Sequence, residues 1–178
     1  MTIESNAYWQ ETADAAYSIY PLIEYYNYTL DEEFLEESLY PYIKLVLNFL
    51  EHWAIKNDDG TYTIYAGFCE GSGTGDRCSW SKDPAFELTG YKSCLRYGIE
   101  FSKKFDDGNW EKWEEIYNGL ADQPIATING KKVLGFAYEG YKNNAWYSMD
   151  SYMNYNAIPL DSIIPGEIYG YYSSAEDL

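Results

Sequence analysis

Asp83-Pro84 followed by Leu88, Tyr91, Leu95, Ile99 and Ser102 at helical spacing is the feature that most restricts the fold. A carboxylate before a proline reads as an N-cap with proline in the first turn, where its missing N–H costs nothing. The spacing predicts one long helix to about Phe105, which Asp106-Asp107-Gly108 then breaks. A second stripe, Ile43, Val46, Leu47 and Leu50, predicts a helix over about 41–56, opened by Pro41 and closed by Asn57-Asp58-Asp59-Gly60. Two such helices need each other's apolar faces. The fold they imply is mainly α.

The rest of the chain supplies smaller pieces. Residues 6–26 read as a helix with Tyr8, Ala15, Ile19 and Leu22 near one face, kinked or divided by Pro21. Tyr25-Tyr26-Asn27-Tyr28 is expected to be an aromatic turn. Thr29 with Glu32 three residues on matches a capping box, and the acidic run 31–37 reads as a solvated helix start. Thr61–Tyr65 alternates as a short strand and leads into a glycine-rich loop over 66–82. Residues 109–119 form an amphipathic helix with Trp110, Trp113 and Tyr117 on one side. Asn129-Gly130 marks a hairpin over Ile125–Phe136. Residues 139–160 are polar and aromatic with weak periodicity, and Pro165-Gly166-Glu167-Ile168 opens a last helical turn.

Composition narrows the function. With 29 acidic against 12 basic residues the formal charge is −17, which repels a phosphate backbone, so no nucleic acid is expected as a partner. No run of 18 apolar residues exists, so no membrane span is expected, and residues 1–20 lack the basic start and apolar core of a signal peptide. Localisation stays open. Cys69, Cys78 and Cys94 are odd in number and fit no zinc spacing. Free thiols are the expectation, with a Cys69–Cys78 disulfide as the alternative. The 21 tyrosines and 6 tryptophans suit half-wet clefts that stack on sugars, or equally a core built on Tyr.

The chemistry concentrates in Tyr65-Ala66-Gly67-Phe68-Cys69-Glu70-Gly71-Ser72-Gly73, which sets one carboxylate among glycines and rings. Gly-Ser-Gly-Thr-Gly at 71–75 is not a phosphate loop, because no Lys-Ser/Thr follows it, and no cofactor or metal is expected. Read alone, Glu70 is better explained as a solvated or helix-capping loop residue. His52, near the end of its helix, reads as packed or surface-exposed.

Glu24–Leu35 (Glu-Tyr-Tyr-Asn-Tyr-Thr-Leu-Asp-Glu-Glu-Phe-Leu) resembles the "hlwehYrfTgDkeFL" segment of six-hairpin glycosidases, and Leu39–Leu50 the "lyPilkeaaeFyldfL" that follows it. Within that superfamily the chain resembles glycoside hydrolase family 95, the α-L-fucosidase family. The resemblance covers most of residues 7–170 and implies part of an (α/α)6 toroid, with small β-hairpins inserted between helical hairpins. A full ring of twelve helices needs roughly 200 residues, and five or six helices are expected here. The chain is therefore expected to be a single domain, 1–178, forming the middle and later part of a larger catalytic barrel.

Phe68-Cys69-Glu70-Gly71 sits where the family holds its general-acid glutamate in Ser-Pro-Glu-Asn, so the resemblance gives Glu70 that role. Asp83 matches the aspartate opening the next helix. Asp150 lies where the family places its later catalytic carboxylate, with Asp161 the runner-up for the base. Tyr65, Trp80, Asp83 and Trp146 are the candidates for substrate contact, each ring as able to be core as to stack on a sugar. An inverting glycosidase sets its acid and base about 6.5–9.5 Å apart. The family's histidine-rich motif is replaced by Asp150–Ile158 (Asp-Ser-Tyr-Met-Asn-Tyr-Asn-Ala-Ile), and its water-positioning asparagine pair has no counterpart. These departures keep a second reading in view, a non-catalytic carbohydrate-binding or scaffold fragment. A third is a helical interaction module. The implied partner is an oligosaccharide or polysaccharide, with self-association or a missing barrel half as the further expectation.

Overall fold

In a computed structural model of the chain, residues 12–68, 79–128 and 130–134 are described. They form a mainly helical unit with three small two-stranded antiparallel hairpins. Helix α1 is Asp14–Tyr17 and α2 is Tyr20–Thr29, so the predicted first helix is indeed divided, with Pro21 in the first turn of α2. There the proline removes no bond that the helix needs. The expected aromatic turn at 25–28 is a correction: these residues are the last turns of α2. Leu30 ends it in the left-handed conformation, its N–H donating to Tyr26 O at 2.7 Å.

The capping box is corrected as well. The cap is Asp31, whose Oδ1 accepts from Phe34 N at 3.0 Å, while Thr29 Oγ1 donates to Tyr25 O within α2. From Asp31 one helical run continues through α3 (Glu32–Phe34), a π turn (Leu35–Leu39) and α4 (Tyr40–Trp53). Pro41 therefore does not open a new helix. Its ring would press on the carbonyl four residues back, at Glu37, in a regular α-helix. The wider turn just before it, where Tyr40 N–H reaches Leu35 O, makes the room.

Helix α4 also ends earlier than expected. Ile55–Lys56 form β1, which pairs with β2 (Tyr62–Thr63), and Asn57–Gly60 is the turn of that hairpin. Gly60 takes φ +86°, and Asp59 Oδ1 accepts from both the N–H and the hydroxyl of Thr61, bonds that hold its carboxyl below the ordinary range.

Helix α5, Ala85–Phe105, ends where predicted and begins one residue later than predicted, with Asp106 at φ +52° closing it. It packs against α1, α4 and α6, the last being Trp110–Gly119. Ile43, Leu47, Leu50, Leu88, Leu95 and Ile116 are fully buried at this junction, with Val46 and Trp113 nearly so. The closest approach is at Gly98: a Cβ there would lie 2.3 Å from Leu47 Cδ1 and 3.2 Å from Trp113 Cε3. Only glycine lets α4 and α6 close on α5 at this level. Below it, Asp107 accepts from Tyr40 OH (2.7 Å), Ser102 Oγ (2.6 Å) and Asn109 N (3.2 Å), joining the ends of the three helices. Burial, then the hydrogen bond to Asp107, pushes the Tyr40 hydroxyl up to about 12.

The predicted Asn129-Gly130 hairpin is present as β5 (Ile125–Ile128) and β6 (Lys131–Leu134), with Gly130 at φ +76°. Cys94 is a free, buried thiol that burial pushes well above its usual range. Cys69, Cys78 and the expectations for 139–160 and 165–168 lie outside the described residues.

Candidate functional site

Strand β3 (Tyr65–Phe68) and strand β4 (Ser79–Lys82) pair antiparallel, Phe68 opposite Ser79 and Tyr65 opposite Lys82. The loop predicted over 66–82 thus begins and ends as a ladder, and the predicted strand 61–65 is two strands that separate at Ile64. Ile64 is fully buried, so the chain passes through the core between its two hairpins. The β3–β4 ladder brings together the two ends of segment 69–78, which contains Glu70.

Asp83 secures the base of that hairpin. Its N–H donates to Ile64 O at 2.8 Å, continuing the ladder by half a rung. Its backbone then turns to φ +48°, which swings its own carbonyl away, and the side-chain Oδ1 accepts from Ile64 N at 2.8 Å in its place. Asp83 is 4% exposed. The N-cap reading is therefore corrected: Pro84 occupies the cap position of α5, no side chain caps it, and the Asp83 carboxylate faces the hairpin. Pro84 completes the turn because its fixed φ starts a helix without needing a donor.

Of the other candidates, Tyr65 lies on β3 and is 43% exposed, next to fully buried Ala66. Trp80 lies on β4, its backbone opposite Gly67. These two and Asp83 share one hairpin and its base. Glu70, Asp150, Asp161 and Trp146 lie outside the described residues. His52 is exposed on α4, and its Nδ1 bonds Asn48 O at 2.7 Å, an arrangement within its own helix.

Periodicity alone missed what surrounds the start of α5. The predicted inward set is buried, Ile99 partly, but Glu87, Thr89, Lys92 and Ser93 are buried too. The first half of α5 is thus enclosed on every side. Glu87 Oε1 accepts from Thr12 N at 3.3 Å and Tyr91 OH donates to Thr12 O at 2.7 Å, clamping the chain ahead of α1. Lys92 reaches Asp122 at 3.2 Å and lies over the Tyr117 ring. Thr89 Oγ1, Ser93 Oγ and Gln123 Nε2 are buried without a hydrogen-bond partner among the described residues. The sequence signal was the i, i+4 pair Thr89/Ser93 on the face opposite Leu88 and Leu95, which resembles a solvated side.

Among the described residues no group of histidine, cysteine and acidic side chains could hold a metal ion, and no helix is long and apolar enough to cross a membrane. The chain matches no curated protein. Residues 1–74, which run through α1–α4 and β1–β3 and include Glu70, are similar to the glycosyl hydrolase family 95 catalytic domain, whose family model matches them.

Proposed function

We propose that the chain is a segment of a glycoside hydrolase catalytic domain, acting on a glycan by inverting hydrolysis with Glu70 as general acid. The observation that carries this reading is the family 95 match over residues 1–74, a span that includes Glu70. Strands β3 and β4 support it by holding the segment that contains Glu70 at both ends. In such a site the acid protonates the leaving oxygen while a base activates water from the opposite face of the sugar. Asp150 is the proposed base, with Asp161 behind it. Tyr65, Trp80 and Trp146 are proposed to stack on sugar faces, and Asp83 to place the hairpin that carries the acid. Residues 1–178 are proposed as one domain of a larger (α/α)6 barrel, with fucose-type substrates the first to try.

The second reading, a carbohydrate-binding or scaffold fragment without a full catalytic set, draws on His52. The chain's one histidine lies exposed on α4 and bonds its own helix. The deciding experiment is release from a panel of aryl glycosides, α-L-fucoside included, with Glu70→Gln alongside. Turnover that falls about a thousandfold in Glu70→Gln supports the acid role. Turnover unchanged by that substitution removes it. Sugar binding without turnover moves the chain to the second reading.

A further inference from the structure

A serine or threonine hydroxyl on a helix has a partner close at hand, the carbonyl three or four residues back. This protein uses it elsewhere: Thr29 Oγ1 donates to Tyr25 O at 2.8 Å and Ser18 Oγ to Ala15 O at 2.7 Å. Helix α5 does not, although there the need is greatest. Thr89 is fully buried and Ser93 is 1% exposed, yet neither hydroxyl has a hydrogen-bond partner among the described residues. Neither takes the carbonyl four residues behind it, Ala85 O or Thr89 O, so both are aimed away from their own helix, on one side and one turn apart. A third such group lies on the neighbouring segment. Lys92, in the same turn of α5, reaches Asp122 at 3.2 Å, which draws the next residue, Gln123, towards this part of the helix. Gln123 is 3% exposed, and its Nε2 is also without a partner among the described residues.

We propose that Thr89, Ser93 and Gln123 hold one ordered water molecule inside the protein. Spacing and chemistry choose this occupant. Side chains one helical turn apart start about 5–6 Å from each other, and one water spans that gap with two bonds of about 2.8 Å. Water both donates and accepts, as a pair of hydroxyls requires, and it takes the amide N–H as a third bond. Its size suits a place closed to solvent on every side. The nearby cation, Lys92, is already matched by Asp122 and the Tyr117 ring, so no charge there calls for an ion. Left unmet, each of the three groups would lower stability. The water thereby ties the first half of α5 to the segment that follows α6.

A high-resolution crystal structure of the full chain tests this directly, with thermal unfolding of variants beside it. The expected result is a water oxygen about 2.7–3.2 Å from Thr89 Oγ1, Ser93 Oγ and Gln123 Nε2. Thr89→Val, which keeps the side chain's shape, and Ser93→Ala should each lower the melting temperature by about 3 °C. Together they should lower it by clearly less than the sum, because both act on the same water. Hydroxyls turned onto Ala85 O and Thr89 O overturn the proposal. So does the lack of any water bonded to both hydroxyls. Variants as stable as the parent, or more so, overturn it too, since removing an unmet buried hydroxyl is neutral or favourable. Density at the site only in crystals soaked with a sugar would assign it to a ligand hydroxyl and overturn the water.

Discussion

The α4–α5–α6 junction and the β3–β4 hairpin are held together by different physics. At the junction, buried Leu47, Leu50, Leu95, Trp113 and Ile116 close around Gly98, and stability comes from apolar area and close packing. The hairpin has a four-residue ladder and the Asp83–Ile64 clasp at its base, with Ala66 as its buried side chain among those described. The junction is a scaffold that tolerates little change of shape. The hairpin depends on a few directed bonds, so single substitutions there can open it without unfolding the rest. A loop carrying chemistry can then vary while the helices stay as they are.

The strongest way to break this contrast is at the helix crossing. Leu47→Ala should cost about 3 kcal/mol in denaturant unfolding, from lost transfer energy and the cavity left behind. Gly98→Ala should cost about 2 kcal/mol, because the new Cβ meets Leu47 Cδ1. Combined, the two should cost clearly less than their sum, since Leu47→Ala vacates the space the new methyl needs. Strict additivity would mean that the crossing is not the constraint.

Asp83→Ala should act locally. It leaves the buried Ile64 N–H without its acceptor, at about 2 kcal/mol, so the Ile64 and β3 amides should exchange roughly thirtyfold faster. Core amides of α5 should keep their protection. Asp83→Asn, which retains an oxygen acceptor and tolerates positive φ, should restore most of the difference. Loss of protection throughout α5 would merge the two regions into one cooperative unit.

The smallest effect belongs to the surface cluster joining the β1–β2 hairpin to α6. Glu115 bonds Lys56, accepts from Tyr62 OH at 2.8 Å and from Lys112 at 3.3 Å, and these bonds, Lys56 first, hold its carboxyl down at about 2. Because the folded value lies below the ordinary 4.5, its stabilisation is full above pH 4.5 and fades as pH falls towards 2. Glu115→Gln should flatten the melting-temperature profile in that window and leave the profile at neutral pH nearly level. An unchanged acid slope would show that the ion cluster contributes nothing, as exposed pairs often do.

Elements of one period were legible from residues alone. The stripes through Ile43–Leu50 and Leu88–Ser102 predicted the helices that form the core, and Asp106 and Gly130 sit in the turns expected of them. The family resemblance drawn on Glu24–Leu50 is matched by the family 95 model over residues 1–74. What went astray was wherever two local signals competed. Thr29 and Asp31 both look like caps, and Asp31 won because Thr29 was already spent within α2. Asn57–Gly60 looks like a helix stop and is a hairpin turn, because Ile55–Lys56 found a partner in Tyr62–Thr63.

The sequence by itself determined periodicity, composition and charge, since each is a property of neighbours along the chain. Those settle the mainly helical class, the apolar stripes of the two long helices and the net acidic charge. Only the tertiary structure decided that Gly98 is the crossing point, that Asp83 serves Ile64 across 19 residues, and that the first half of α5 is enclosed on all sides. Each of these depends on a partner distant in sequence, and a one-dimensional pattern carries no record of which distant group will arrive.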